Sequence, residues 1–167
     1  MSEVVAEKPK RSKFPKIFYI ANSMDIFERF AWFGFFAVSG FYMTDSVADG
    51  GLGLSNIERG FLQGLMPFLL YLLPVITGAM SDRFGYRKMF ILSFIILVPS
   101  YYMLGQVHEF WSFSLVFLCV AIGAAIYKPL VIATITHVTD KSNRGIGFGF
   151  NYMLVNLGAT LGIIIAG

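Results

Sequence analysis

Five apolar stretches, at about 18–43, 58–80, 88–106, 110–138 and 146–167, run through this chain with only short polar connections between them. Each is close to or beyond the roughly 20 residues that span about 30 Å of hydrocarbon, and a backbone in that medium must satisfy its own hydrogen bonds, as helices and closed barrels do. Membrane strands need only about 9–11 residues, so stretches of this length read as helices. The expected fold is an all-α, multi-pass membrane protein of five helices whose core lies between helices. Mean hydropathy of +0.68 and a charged fraction of 14%, against the roughly 25% usual in soluble domains, agree with that class.

Residues 1–16, MSEVVAEKPKRSKFPK, are polar and basic and read as a tail on the membrane surface. The first apolar stretch is long, carries internal charge and lacks a small-residue cleavage site, so it is expected to remain as the first span. Positive residues are retained on the cytoplasmic side of a membrane. Lys8, Lys10, Arg11, Lys13 and Lys16 in the tail, Arg83, Arg87 and Lys88 in the second connection, and Lys141 and Arg144 in the fourth would share that side, against Arg59 alone. The expected placement is the cell membrane, with the N-terminus and the connections at 81–88 and 139–145 cytoplasmic. Cys119, the single cysteine, excludes an internal disulfide and reads as buried packing. The last residues, LGATLGIIIAG, stop in apolar sequence, so the chain is expected to need further C-terminal helices or a complementary polypeptide.

The first stretch contains IANSMDIFERFAWFGFF, in which Asp25, Glu28 and Arg29 interrupt an aromatic run. At about 100° per residue these three and Trp32 fall within a wedge of about 100° on one helix face. A charge at mid-bilayer costs roughly 2.5–3.5 kcal/mol on insertion scales, so the stripe is expected to face protein or a wet cavity. The other deeply placed charge is Lys128, in AIGAAIYKPLVIATI. Spans one and four facing each other would make a neutral network of two acids and two bases. Glu28, Asp25 and Lys128 are then candidates for proton coupling, since a moving partner changes the proton affinity of a buried acid. A structural ion network that never titrates is the competing reading.

Between the second and third stretches stands GAMSDRFGYRK, residues 78–88, which fits G-x-x-x-D-R-x-G-x-R-K at every fixed position. Asp82 is expected to close one helix and Arg83, Arg87 and Lys88 to open the next around a turn permitted by Gly85, where acid and bases can pair with one another or with a neighbouring helix end and latch one conformation; a hairpin whose bases merely hold topology is the competing reading. The stretch, with Gly78, resembles the cytoplasmic loop signature of the major facilitator superfamily, whose members move small solutes by alternating access. That resemblance implies the major facilitator fold, of which this chain would supply the first five transmembrane helices of an N-terminal six-helix half.

A narrower resemblance lies in three places. DIFERFAWFG, residues 25–34, is similar to the E-x-x-E-R-F-x-Y-Y-G motif of the proton-coupled oligopeptide transporters; IYKPL, residues 126–130, resembles their fourth-span lysine segment; and GFGFNYMLVNLGA, residues 147–159, resembles their F-Y-M-x-x-N-x-G-A segment. In that family the first-span acid and arginine, with the fourth-span lysine, couple protons to substrate and meet the peptide carboxylate. The resemblance puts those roles on Glu28, Arg29 and Lys128, with Trp32, Tyr152 and Asn156 as further substrate contacts. The chain departs from the pattern at Asp25, for glutamate; at Trp32 and Phe33, for two tyrosines; at Leu130, for asparagine; and at Asn151, for an aromatic.

Gln63 and Tyr71 read first as contacts between helices, Pro67, Pro74, Pro99 and Pro129 as helix bends, and Gly64, Gly123, Gly158 and Gly162 as close-packing surfaces. His108 and His137 have no carboxylate at a fixed spacing and read as incidental. Phosphate loops, nucleophile elbows, zinc spacings and a nucleic-acid face are not legible in the chain, so an enzyme, a metal protein or a nucleic-acid binder is not expected. The expected activity is secondary transport of a small peptide or similar carboxylate-bearing solute by proton symport, with the proton as coupling ion, no cofactor, and the lipid bilayer as surroundings. A proton-antiporting exporter, a non-transporting scaffold and a channel are the alternatives.

Overall fold

The computed structural model describes residues 13–167; the tail residues Lys8, Lys10 and Arg11 lie outside them. Five helices form, α1 (Lys16–Thr44), α2 (Asn56–Phe84), α3 (Tyr86–Leu104), α4 (Phe110–His137) and α5 (Arg144–Ala166), with a 3-10 turn at Val47–Asp49. At 1.5 Å per residue the 29 residues of α1 or α2 make a rod of about 43 Å, longer than the hydrocarbon core. Four of the helices, α2 to α5, are long and apolar enough to cross a membrane. In α1, Asp25, Glu28 and Arg29 break up the apolar window.

Local chemistry sets the helix ends. Ser55 and Glu58 form a capping box, each side chain bonding the other's backbone N–H, so α2 begins at Asn56. It runs on to Phe84 because the polar residues 81–83 still sit in helical geometry; Arg83 therefore belongs to the last turn of α2 and does not open α3, contrary to the sequence reading. Gly85, at φ +89°, turns the chain into α3 with no intervening loop, a conformation that side chains with a Cβ avoid.

α4 is the central helix, with Val120, Ala121, Ala124, Ala125, Tyr127 and Leu130 fully buried. It packs along α2 and α3, while α1 packs chiefly along α5 and touches α4 over a shorter length. Small residues let the backbones approach: a Cβ on Gly158 would stand 2.5 Å from the Ile26 carbonyl oxygen, one on Gly34 3.1 Å from that of Gly162, and one on Gly123 2.8 Å from Leu97. Gly64 faces nothing within 4 Å, so the close-packing role expected of it is not observed.

Pro67, Pro74, Pro99 and Pro129 all lie inside continuous helices. Pro129 has no N–H for the carbonyl one turn earlier, that of Ala125. Thr77 of α2 donates its hydroxyl to that carbonyl at 2.8 Å, so the backbone group released by the proline ties α2 to α4. Gln63 reaches from α2 to Ser39 of α1 at 3.4 Å, and Tyr42 of α1 donates to the Val107 carbonyl at 3.2 Å. Cys119 is half-buried, more open than the sequence reading held.

Candidate functional site

The stripe read from helical spacing is a buried stripe. Asp25 is 7% exposed, Glu28 5% and Trp32 9%, and Arg29 is half-buried beside them. Arg29 ion-pairs with Glu28, its neighbour on the same helix. Asn151 of α5 donates its Nδ2–H to Asp25 Oδ2 at 2.8 Å. Trp32 stacks on Phe36 with ring centres 6.0 Å apart and belongs to the hydrophobic core.

Lys128 stands on α4, half-buried, with its Nζ 5.6 Å from the centre of the Tyr71 ring of α2, a cation over an aromatic face. It lies within the electrostatic field of Arg29, Glu28 and Asp25. The direct acid–base network expected between spans one and four is not formed. Among the described residues the one ion pair is Arg29 with Glu28. The reason is local competition: Arg29 takes Glu28 from the adjacent position, and Asn151 takes an oxygen of Asp25, leaving no carboxylate within salt-bridge reach of Lys128. The stripe is buried chiefly against α5 and α4, and on its other side Glu28 borders an apolar cleft with Met24, Phe27, Phe94 and Leu97.

Tyr152 and Asn156 are not gathered with this cluster. Asn151, Gly158 and Gly162 form the face of α5 that meets α1, and Tyr152 and Asn156 point about 100° and 140° away from it. Tyr152 is 70% exposed, and Asn156 donates to the Tyr152 carbonyl at 2.7 Å, a bond within its own helix. Asn151, noticed in the sequence only as a departure from a family pattern, is instead the side chain that holds Asp25. Tyr71, read as a contact between helices, supplies the ring beneath Lys128.

At the end of the bundle where α2 meets α3, Gly78 and Asp82 line a cleft of about 190 Å³ against Pro129 and Ala133 of α4. Asp82 accepts a hydrogen bond from the Tyr86 hydroxyl at 2.8 Å, and Arg83 lies over the Phe84 ring at 5.6 Å. Asp82, Arg83, Arg87 and Lys88 are exposed, and the acid–base pairing expected of them is absent among the described residues: Tyr86, one turn on, reaches Asp82 first. His137, at the same end, meets the Tyr86 ring edge-on at 5.6 Å.

In chemical terms the site holds two buried carboxylates, one satisfied by a guanidinium and one by an amide, and a cation resting on an aromatic ring. Groups of this kind take up and release a proton or a carboxylate when their partners shift. No cluster of His, Cys, Asp or Glu able to hold a metal occurs among the described residues.

A family model described as Major Facilitator Superfamily matches residues 24–167. The chain is 26% identical over 156 residues to dipeptide and tripeptide permease A of Serratia proteamaculans, covering 91% of this chain and 30% of the permease. It is 24% identical over 169 residues to an uncharacterised transporter of Bacillus subtilis, covering 98% of this chain and 34% of that protein. Its fold superposes with a TM-score of 0.85 and 25% identity on a crystal structure of a peptide transporter solved as a mutant in complex with sulfate, over 94% of this chain and 33% of that one. The chain thus spans about a third of the length of the proteins it matches. These relatives are named as transporters and permeases, not as enzymes.

Proposed function

Because the chain belongs to the major facilitator superfamily, we propose that it carries the first five membrane helices of a proton-coupled secondary transporter that moves a small peptide or similar carboxylate-bearing solute by alternating access. The observation that carries this reading is the buried pair of acids beside Arg29, with Lys128 nearby and, among the described residues, in no carboxylate contact. The peptide permease and peptide transporter among its relatives favour a peptide cargo.

In this scheme Glu28 takes the coupling proton. Loss of its charge weakens the pair with Arg29, and the released guanidinium, together with Lys128, meets the carboxylate of the substrate in a partly desolvated setting where charge attraction is strong. Asp25, held by Asn151, keeps a second negative charge near the two cations, so that they let the substrate go once Glu28 ionises again. Tyr152 and Asn156, on the exposed face of α5, offer substrate contacts apart from the acid cluster, whereas Trp32 is packed in the core. The GAMSDRFGYRK turn, with Gly78, Asp82, Arg83, Gly85, Arg87 and Lys88, gates one end; it lies in the cytoplasm with the N-terminus. The remaining helices come from the rest of the polypeptide.

The test is Glu28→Gln in the natural protein that contains this chain, reconstituted in liposomes. Proton-driven accumulation should be lost while substrate counterflow persists; unchanged accumulation overturns the scheme. The direction of solute flux on imposing a pH gradient separates symport from the exporting alternative.

A further inference from the structure

α2 holds one turn of α4 at two points. Pro129 lies inside α4 and brings no N–H to the carbonyl of Ala125, one turn earlier, and Thr77 of α2 donates its hydroxyl to that carbonyl at 2.8 Å. Thr77 is 6% exposed and Ala125 is fully buried, so the bond is shielded from solvent. Lys128 belongs to the same turn, next to Pro129, and its Nζ lies 5.6 Å from the centre of the Tyr71 ring, also on α2. The ring meets only the end of a flexible four-carbon stem, whereas the Thr77 bond fixes the backbone from which the stem starts.

Packing does not hold this turn on every side. Gly78, which follows Thr77, has open space where a Cβ would stand, and the cleft of about 190 Å³ separates it from Pro129 and Ala133. A helix bends at a proline because a backbone bond is missing there, and here the room to bend lies beside it. We propose that Thr77 is a positioning residue for Lys128: by bonding the carbonyl that Pro129 leaves free, it fixes the turn of α4 that presents the lysine to the solute. The proposal rests on the reading that Lys128 meets the carboxylate of the solute. Without the Thr77 hydroxyl the turn relaxes toward the cleft, and the ammonium leaves the Tyr71 ring and its place near Arg29.

Thr77→Val replaces the hydroxyl by a methyl group, and Thr77→Ser keeps it. In the natural protein that contains this chain, purified in detergent, bound radiolabelled dialanine is displaced by unlabelled dialanine or by its C-terminal amide, which has no carboxylate. Thr77→Val should lower the preference for the acid over the amide by about tenfold, which is about 1.4 kcal/mol, and Thr77→Ser should keep it. With carbon-13 in the lysines, the ε-methylene resonance of Lys128, assigned by its loss in Lys128→Gln, should lie upfield under the Tyr71 ring. It should move downfield in Thr77→Val and stay in Thr77→Ser. A loss of stability alone moves neither readout below the unfolding range, so a preference or a resonance that Thr77→Val leaves in place refutes the positioning role. If Lys128→Gln loses the preference while Thr77→Val keeps it, Thr77 is refuted and Lys128 stands. If Lys128→Gln keeps it, the lysine does not meet the carboxylate and both ideas fall. Where dialanine does not bind, the resonance decides. Should Thr77→Val fail to accumulate, Thr77→Cys, whose thiol is a weak donor, is read for the same outcomes.

Discussion

Asn151 on α5 and Asp25 on α1, 126 positions apart in sequence, are joined by a hydrogen bond of 2.8 Å from Nδ2 to Oδ2. Both stand where the peptide transporters carry something else, a longer acid and an aromatic ring, so two departures from one pattern are partners in space. The amide gives the buried Asp25 carboxylate a hydrogen-bond donor that an apolar ring would not supply. Asn151→Leu is therefore expected to destabilise the protein by about 1–2 kcal/mol, between the range for hydrogen bonds to charged groups and the lower values measured inside membranes. A double-mutant cycle with Asp25→Asn, read by thermal unfolding of the purified protein, should show that the two changes are not additive.

The same α1–α5 seam depends on glycine. A Cβ at Gly162 would press on the backbone at Phe30 and Gly34, whereas one at Gly149, on the same helix, would meet nothing within 4 Å. Gly162→Val should force the helices apart, cost about 1–3 kcal/mol or more and weaken the Asp25–Asn151 bond with it. Gly149→Ala should be neutral or stabilise by up to about 1 kcal/mol, because it removes backbone freedom in an open helical position. Equal losses of thermal stability in the two variants would contradict this seam.

Thr77, Ala125 and Pro129 make a closed exchange. The proline withholds a hydrogen bond from the Ala125 carbonyl and the threonine supplies one. Thr77→Val keeps the shape and leaves a buried carbonyl bare, at a cost of about 1–2 kcal/mol. Adding Pro129→Ala returns a backbone N–H to that carbonyl, so the double variant should recover most of the loss. Recovery is read as a thermal midpoint close to that of Pro129→Ala alone.

Much of this architecture was legible in the chain because membrane helices announce themselves by length and apolarity, which are local. Gly85 and the Ser55–Glu58 capping box likewise act within a few residues, and the stripe of Asp25, Glu28 and Trp32 follows from helical spacing alone. The partners of that stripe were not legible, since they depend on which helix lies beside α1 and in what register. Lys128 was expected to pair with the acids across the bundle; instead Arg29, one residue from Glu28, had no entropy of assembly to overcome. The available signal for Asn151 was the coincidence of two departures, which identifies a pair only when both are known to face one interface. Tyr152 and Asn156 share a segment with Asn151, and a rotation of about 100° or more about the helix axis separates their faces.

Arg29 and Lys128 are both cations of the site, yet their surroundings predict opposite costs of removal. Arg29→Gln strips the partner from Glu28, whose carboxylate is buried and whose Oε1 has no other partner among the described residues; breaking a buried pair from one side costs about 3–5 kcal/mol. Lys128→Gln removes a half-buried cation that has no carboxylate contact among the described residues and rests on the Tyr71 ring, so little is left unsatisfied. Under the proposed transport scheme both substitutions abolish proton-driven uptake of a carboxylate-bearing solute. Thermal unfolding then separates them: Arg29→Gln should lower the midpoint by many degrees, and Lys128→Gln should leave it unchanged or raise it. A Lys128→Gln variant as unstable as Arg29→Gln would mean that Lys128 is bound into the acid network directly, which the present geometry denies.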